Sequence, residues 1–399
     1  MAAMDVYGLA ALRTTEGAAA LATATGLADR DPLAAASAMR ARDIPADLAA
    51  AALTQVALRR RAVAKFGVDA GRMFFTRAGL EQATRVEVAT RRAARLVTAL
   101  AGRPPIVADL GCGVGADTIA FARAGLRVLA VDADPLAAAV TAANVAALGL
   151  ADRVTVSTMD ARDVVLDEVH AVFCDPARRT ATGRRVFDPS AYSPPWDFVA
   201  GLAATVPYTV LKLAPGIDHA LVPPGAEAEW VSVGGDVVEA AFWCGPLAEV
   251  PRRATLLTSD GHAELTGTGT EQAPVGPVRK YLYDPDGAVV RAHLVAEFAA
   301  TVDGTLADPT IAYVYADSAQ LTPYAKCLEV LEVLPFSLKR LRAALRARDA
   351  GRLTIAKRGS AVDVEQLRRY LKPTGDSEVT VVLTRVAGAP YGVICTGVR

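Results

Sequence analysis

Four aspartates stand where this sequence could do chemistry: Asp109, Asp132, Asp160 and Asp175. Asp109 lies in the run Val107 to Asp117, Val-Ala-Asp-Leu-Gly-Cys-Gly-Val-Gly-Ala-Asp, which sets Gly111, Gly113 and Gly115 at alternate positions around Cys112. Glycines at that spacing remove every Cβ where a strand turns sharply into a helix, so a ligand can approach the backbone closely. Carboxylates around such a turn accept hydrogen bonds from a diol, an exocyclic amine or an ammonium. The chemistry indicated is the holding of a nucleotide-like cofactor. A glycine turn alone also serves to pack a strand on a helix, so the surrounding elements decide between the two.

Those elements alternate. Apolar runs at Val107 to Leu110, Val128 to Val131, Val154 to Thr158 and His170 to Cys174 each end in an acid or a glycine turn, and helical segments separate most of them. Successive short runs of this kind predict a parallel sheet with its ligand crevice at the carboxyl ends of the strands. Asp132 falls 21 residues after Gly111, near the spacing at which a second-strand carboxylate meets a ribose diol. A nicotinamide dehydrogenase shares part of this pattern, but its fingerprint is G-x-G-x-x-G, whereas here the spacing is G-x-G-x-G with Asp109 ahead of it.

With that turn the sequence resembles the class I S-adenosylmethionine-dependent methyltransferases. The resemblance implies that Asp109, Gly111, Cys112, Gly113 and Gly115 hold the methionyl part of S-adenosylmethionine, that Asp132 holds its ribose, and that Met159 and Asp160 lie beside its adenine. The C-terminal stretch is similar to the THUMP-like domains attached to a group of bacterial methyltransferases, through Thr354-Ile355-Ala356-Lys357-Arg358-Gly359, the helix after it and the strand Val-Val-Leu-Thr-Arg. Since THUMP domains bind structured RNA, this implies an RNA partner, tRNA or rRNA, and phosphate contacts by Lys357 and Arg358. The fold class expected is α/β: a Rossmann-like methyltransferase sheet, an N-terminal helical domain and a small C-terminal THUMP-like α/β module.

The reaction is then expected at the end of the fourth strand, where Asp175 and the Pro176-Ala177 backbone meet the acceptor and Arg178 follows. In-line transfer depends on alignment of the reacting atoms, and oxygen acceptors there can orient an amine and take its proton. Amino-methylating relatives follow the acid with two prolines and an aromatic, whereas this turn reads Asp175-Pro176-Ala177-Arg178, which argues against methylation of a flipped base's exocyclic amine. A covalent pyrimidine mechanism needs a cysteine after the fifth strand, where Leu213-Ala214-Pro215-Gly216 stands instead. Ser193-Pro194-Pro195-Trp196 reads as a helix start with Ser193 as its cap. Arg178, Arg179, Arg184 and Arg185 form a basic cluster in this region, and Lys212 is a further cation near the fifth-strand end. Upstream, Phe74 and Phe75 read as core, and Thr76 and Arg77 as candidate substrate contacts. Two other readings stay open: a methyltransferase of small molecules or proteins, and a non-catalytic RNA-binding protein that retains the cofactor fold.

Composition fits more than one module. The chain has 399 residues, 52% of them hydrophobic, beyond the size that one core usually serves. We expect a helical domain over 1–100, the methyltransferase domain over 101–248, a β-rich connection over 249–330 and the THUMP-like domain over 331–399. The break at Gly102-Arg103-Pro104-Pro105 stops the helical region, because consecutive prolines cannot continue a helix. Formal charge is zero overall but uneven: residues 1–100 hold 14 Lys and Arg against 9 Asp and Glu, residues 101–336 hold 16 against 29, and residues 337–399 hold 13 against 5. Basic ends flanking an acidic centre fit modules that attract a polyanion around a core that does chemistry. The five cysteines are far apart, so neither a disulfide scaffold nor structural zinc is expected, and no metal enters the site. No apolar stretch is long enough to span a bilayer, and a cytoplasmic location is the default.

Overall fold

The computed structural model describes residues 5–101, 105–178, 192–259 and 261–398. Two compact units emerge: residues 1–213 with 223–226 and 242–248, and residues 214–222 with 227–241 and 249–399.

The first unit begins with helices α1 (Val6–Leu12), α2 (Thr15–Gly26), α3 (Pro32–Arg40), α4 (Ala46–Phe66), α5 (Arg77–Gln82) and α6 (Val86–Ala99). The alternating region follows: β1 (Ile106–Leu110), α7 (Ala116–Arg123), β2 (Arg127–Asp132), α8 (Pro135–Ala147), β3 (Val154–Thr158), β4 (Ala171–Cys174), β5 (Ala177–Arg178), β6 (Tyr192–Ser193), α9 (Trp196–Thr205) and β7 (Thr209–Leu213). Strands β7, β4, β1, β2 and β3 lie side by side in that order, all parallel. The order reverses between β1 and β4, and a crevice opens at such a switch point in an open α/β sheet. Every residue of β4 is buried, as expected of a central parallel strand covered on both faces.

The N-terminal helices share a core with the alternating region rather than standing apart. Leu9, Leu21, Met39, Val56, Phe66, Phe74 and Phe75 belong to one buried cluster with Val114, Ile119, Val140 and Val145. Phe74 and Phe75 are therefore core residues, as their apolar pairing indicates. Two amides pin this segment. Gln55 on α4 exchanges hydrogen bonds with both backbone groups of Phe75. Asn144 on α8, fully buried, accepts from the Phe74 N–H at 2.6 Å and donates to the carbonyls of Phe74 and Val114 at 3.0 and 2.8 Å. Arg92 on α6 pairs with Asp117, which also accepts from the Thr84 hydroxyl at 2.7 Å.

The second unit contains β8 (Glu227–Val233), β9 (Asp236–Trp243, whose last two residues belong to the first unit), β10 (Arg252–Thr258) and β11 (Gly261–Gly267). β10 runs parallel to β8 and antiparallel to β11. Beyond them come β12 (Tyr281–Pro285), α10 (Gly287–Arg291), α11 (Val295–Thr301), β13 (Thr305–Leu306), β14 (Val314–Ala316), β15 (Ala325–Pro335), α12 (Leu338–Ala347), β16 (Ala350–Lys357), α13 (Val364–Leu371), β17 (Ser377–Val386) and β18 (Ala389–Gly397). These strands form a seven-stranded sheet in the order β13-β14-β12-β15-β18-β17-β16. The stretch read as a β-rich connection thus also holds two helices. Leu341, Leu345, Leu367 and Leu371 seat α12 and α13 against Leu353, Val379 and Val381, the amphipathic spacing their sequences carry.

Asn144 joins three backbone groups around a fully buried position. Asn144→Ala is expected to destabilise the protein by about 3 kcal/mol, because one buried backbone N–H and two buried carbonyls lose their partner, read as a lower denaturant midpoint.

Candidate functional site

The turn after β1 is held from below by β2. Gly111 and Cys112 both donate their N–H groups to the Val131 carbonyl, at 2.8 and 3.0 Å, and the Gly115 N–H closes on the Cys112 carbonyl at 2.8 Å. Gly111, Gly113 and Gly115 take φ values of 95°, 58° and 85°, a region side-chain-bearing residues rarely enter. Gly111 is constrained a second way. A Cβ there would lie 2.6 Å from the Asp175 carbonyl oxygen, so the turn after β1 and the turn after β4 are nearly in contact. The Asp175 N–H donates to the Leu110 carbonyl at 3.0 Å.

Asp132 is joined to the same turn. One carboxylate oxygen accepts from the Gly113 N–H at 2.9 Å and the other from the Asp134 N–H at 2.9 Å. Burial raises its pKa, against the pull of those two amides. Each oxygen keeps a free lone pair for a diol. Met159 follows β3, partly exposed, and its N–H donates to the Asp132 carbonyl at 3.2 Å. Asp160 is turned back on its own loop: it accepts from the Arg162 backbone at 2.9 Å and from the guanidinium at 3.0 and 2.9 Å.

Asp109 is 1% exposed. One of its oxygens accepts from the Thr118 hydroxyl, and the other has no partner among the described residues. Burial, then the nearby Asp117, pushes the carboxyl up to about 8, with Asp175 and Asp132 adding to the effect. A buried carboxylate oxygen without a donor, surrounded by other acids and next to a backbone stripped of Cβ atoms, is suited to a ligand with positive charge. The donor set therefore fits S-adenosylmethionine. Cys112 is buried behind the turn, and burial drives its thiol well above the ordinary value, so its contribution to the turn is its backbone.

Two lysines lie near the turn after β4. Asp175 is paired with Lys212 of β7 at 2.5 Å, with the lysine side chain 11% exposed and the aspartate 32%. The visible signal for Lys212 is a lone charge inside the apolar strand Thr-Val-Leu-Lys-Leu. Lys65, at the end of α4, had no such signal. Its ammonium donates to the carbonyls of Leu80, Glu81 and Ala83 at 2.9, 2.8 and 2.7 Å, and burial, with Lys212 nearby, pushes it down to about 8.

Strand pairing brings a second segment to this place. Ala177 pairs with Ser193 and Arg178 with Tyr192, so Tyr192-Ser193-Pro194-Pro195-Trp196 runs beside Asp175-Pro176-Ala177-Arg178. This corrects the helix-start reading of Ser193. The residue that caps α9 is Pro195, with no side-chain cap bond, and Ser193 is strand. The Tyr192 and Trp196 rings meet edge to face at 6.3 Å. Arg179, Arg184 and Arg185 lie outside the described residues. Cys174, fully buried in β4, has its thiol raised by burial, consistent with a packing role.

Other sequence candidates have structural partners. The Thr76 hydroxyl accepts from the Gly79 N–H at 2.9 Å and caps α5. Arg77 follows it, exposed. Lys357 donates to the Val362 carbonyl at 2.9 Å. Arg358 pairs with Asp284 at 2.8 Å, donates to the Pro285 carbonyl at 3.0 Å and covers the Tyr313 ring. No group of three or more His, Cys, Asp or Glu side chains able to hold a metal occurs among the described residues, and no described helix is long and apolar enough to cross a membrane.

A parallel sheet with its switch point between β1 and β4, and an acid-lined glycine turn at that point, define a nucleoside-cofactor enzyme of the Rossmann-like kind. Comparison with known proteins gives the family. Residues 107–182 match the methyltransferase domain model, residues 325–397 the THUMP domain-like model, and residues 5–62 a domain of unknown function, DUF8688. An uncharacterized S-adenosylmethionine-dependent methyltransferase of Mycobacterium tuberculosis, in strains CDC 1551 and H37Rv, is 38% identical over 82% of this chain and 90% of its own length. A crystal structure from Porphyromonas gingivalis W83, of a protein provisionally named a methyltransferase, superposes with a TM-score of 0.75 at 20% identity over 96% of this chain and 98% of that one; it bears on the fold alone. The chain belongs to the S-adenosylmethionine-dependent methyltransferases, with a THUMP-like domain at its C-terminal end, and S-adenosylmethionine is its cofactor.

Asp109 binds its proton more tightly folded than unfolded, so the stability it contributes is full below the ordinary carboxylate range and is lost as pH rises through about 8. Denaturant midpoints of the cofactor-free protein should therefore fall between about pH 5 and about pH 8 more steeply in the wild type than in Asp109→Asn.

Proposed function

We propose that this methyltransferase modifies a nucleotide in RNA, tRNA or rRNA, with Asp175 at the acceptor. The observation that carries the RNA reading lies in the THUMP-like segment. The apolar faces of α12 and α13 are buried, and their outward positions hold Lys339, Arg340, Arg346 and Arg369, all exposed, with Lys372 just beyond. Such a cationic surface, on a domain whose relatives bind structured RNA, suits a phosphate backbone. Lys357 and Arg358 flank the same module, although their local bonds make them weaker phosphate contacts than the helix residues.

In this reading Asp109 and the backbone of Gly111, Cys112, Gly113 and Gly115 hold the methionyl part of the cofactor, Asp132 the ribose, and Met159 and Asp160 the adenine side. S-adenosylmethionine supplies an electrophilic methyl group on a sulfonium. The chain's task is alignment. Asp175 and the Pro176-Ala177 backbone orient the acceptor, and the carboxylate receives its proton. Lys212 is a positioning residue: its ion pair aims that carboxylate and balances its charge. Arg178 follows in the same turn as a candidate phosphate contact, with Arg179, Thr76 and Arg77 as more peripheral ones. A small-molecule or protein substrate is the competing reading, and it makes the basic helices irrelevant to turnover.

Transfer of labelled methyl to total small RNA from cells lacking the protein tests this directly, and the label should be lost to nuclease and resist protease. Asp175→Asn is expected to lower kcat by roughly 100-fold or more while S-adenosylmethionine still binds. Charge reversal at Lys339, Arg340, Arg346 and Arg369 together should raise the KM for RNA and flatten its salt dependence, leaving cofactor affinity unchanged. Label on protein, or turnover indifferent to that reversal, would favour the competing substrate class.

A further inference from the structure

Three aromatic rings in the second unit stack into a column that the methyl-transfer site does not use. At its base is Trp230 of β8, fully buried, whose indole N–H donates to the Pro215 carbonyl at 3.0 Å. His219 lies over it with ring centroids 4.7 Å apart and planes 18° apart. His293 lies on His219 at 3.8 Å and 10°. His219 is the ring common to both contacts, so the column runs from the core outward and ends in His293, which is exposed.

The end of the column is built rather than incidental. His293 follows α10 with φ 61°, in the left-handed region where a residue other than glycine pays a conformational cost. Glycine would close that helix without strain, whereas histidine presents a ring to solvent, parallel to the two beneath it. Two polar atoms beside the column have no partner, although His219 also bonds the Arg291 backbone. His219 Nδ1 and Arg252 Nη1 are buried and make no hydrogen bond among the described residues. The Arg252 guanidinium stands 5.7 Å from the Trp230 ring, and exposed Arg291, which donates to the same Pro215 carbonyl at 3.2 Å, flanks it. The nearby acid, Asp218, is engaged by the Ala220 N–H at 2.9 Å. Burial, then His293 and Arg252, lower His219 to about 4, and burial with Arg252 lowers His293 below the ordinary imidazole value, so the column is uncharged at neutral pH.

An uncharged, parallel aromatic stack with an open outer face and arginines beside it has the chemistry that receives an unpaired nucleobase, since every base offers a π-face and a neighbouring phosphate. We propose that His293 is a stacking platform for an unpaired base of the RNA substrate, with Arg252 and Arg291 beside its phosphate. This rests on the RNA reading above and adds a contact to it, separate from the basic faces of α12 and α13.

The test uses the full chain and a fluorescent single-stranded oligoribonucleotide, with methyl transfer to RNA measured in parallel. His293→Asn keeps a residue suited to the left-handed backbone and removes the aromatic stack, whereas His293→Phe keeps a ring. The platform predicts that His293→Asn weakens binding by roughly 5- to 30-fold with an unchanged melting temperature, and that His293→Phe stays close to wild type. If both variants bind as wild type does, or both weaken equally, the platform is overturned while wild-type RNA methylation leaves the RNA reading standing. If the wild type neither methylates nor binds RNA, the RNA reading falls and the platform with it.

Discussion

The arrangement depends on a close approach between two backbones. Gly111 can sit where it does because it has no Cβ, and the Asp175 carbonyl fills the space a side chain would need. That contact brings the glycine turn after β1 and the Asp175 turn after β4 to one point at the switch in strand order. Methyl transfer requires this, since donor and acceptor must be aligned within near-contact distance. A larger residue at 111 would have to push the two turns apart.

The surrounding structure holds that point in place. Asn144 and Gln55 fix the Phe74-Phe75 segment to the helices around it, and Gly79 lies close enough to Val114 that a Cβ there would meet it at 2.6 Å. The N-terminal helices thus buttress the cofactor turn. Buried charges in this region are partnered: Arg92 with Asp117, Asp175 with Lys212, and the ammonium of Lys65 with three carbonyls. Asp109 differs from these, since one of its oxygens has no partner among the described residues. In the second unit Arg253 binds Glu227 and Glu249, each at 2.8 Å, together with Glu264, so one guanidinium holds three carboxylates.

Much of the fold could be read directly from the chain. The strands after Val107, Val128 and Val154 and the fifth strand at Thr209–Leu213 follow from apolar runs bounded by turns, and the glycine spacing with Asp109 distinguishes a methyltransferase turn from a dehydrogenase one. Less legible were residues whose roles depend on distant partners. Thr76 is a helix cap, which local spacing of a hydroxyl three residues before a glycine does not separate from a substrate contact. Arg358 pairs with Asp284, 74 positions away, a contact that its local sequence does not show. Ser193 was read as a cap because a proline pair before an apolar helix has that local form, whereas its pairing with Ala177 is a contact across an intervening segment.

Residue type and period are local properties, and they determined the strand and helix content, the cofactor turn and the amphipathic faces of α12 and α13 from the sequence alone. Which groups meet is a matter of the folded chain. The Asp175–Lys212 pair, the pairing of Ala177 with Ser193 and the His293 column join residues far apart along the chain. Proximity of that kind arises only when the buried core selects one packing, because side chains so separated have no fixed distance until the backbone between them is folded.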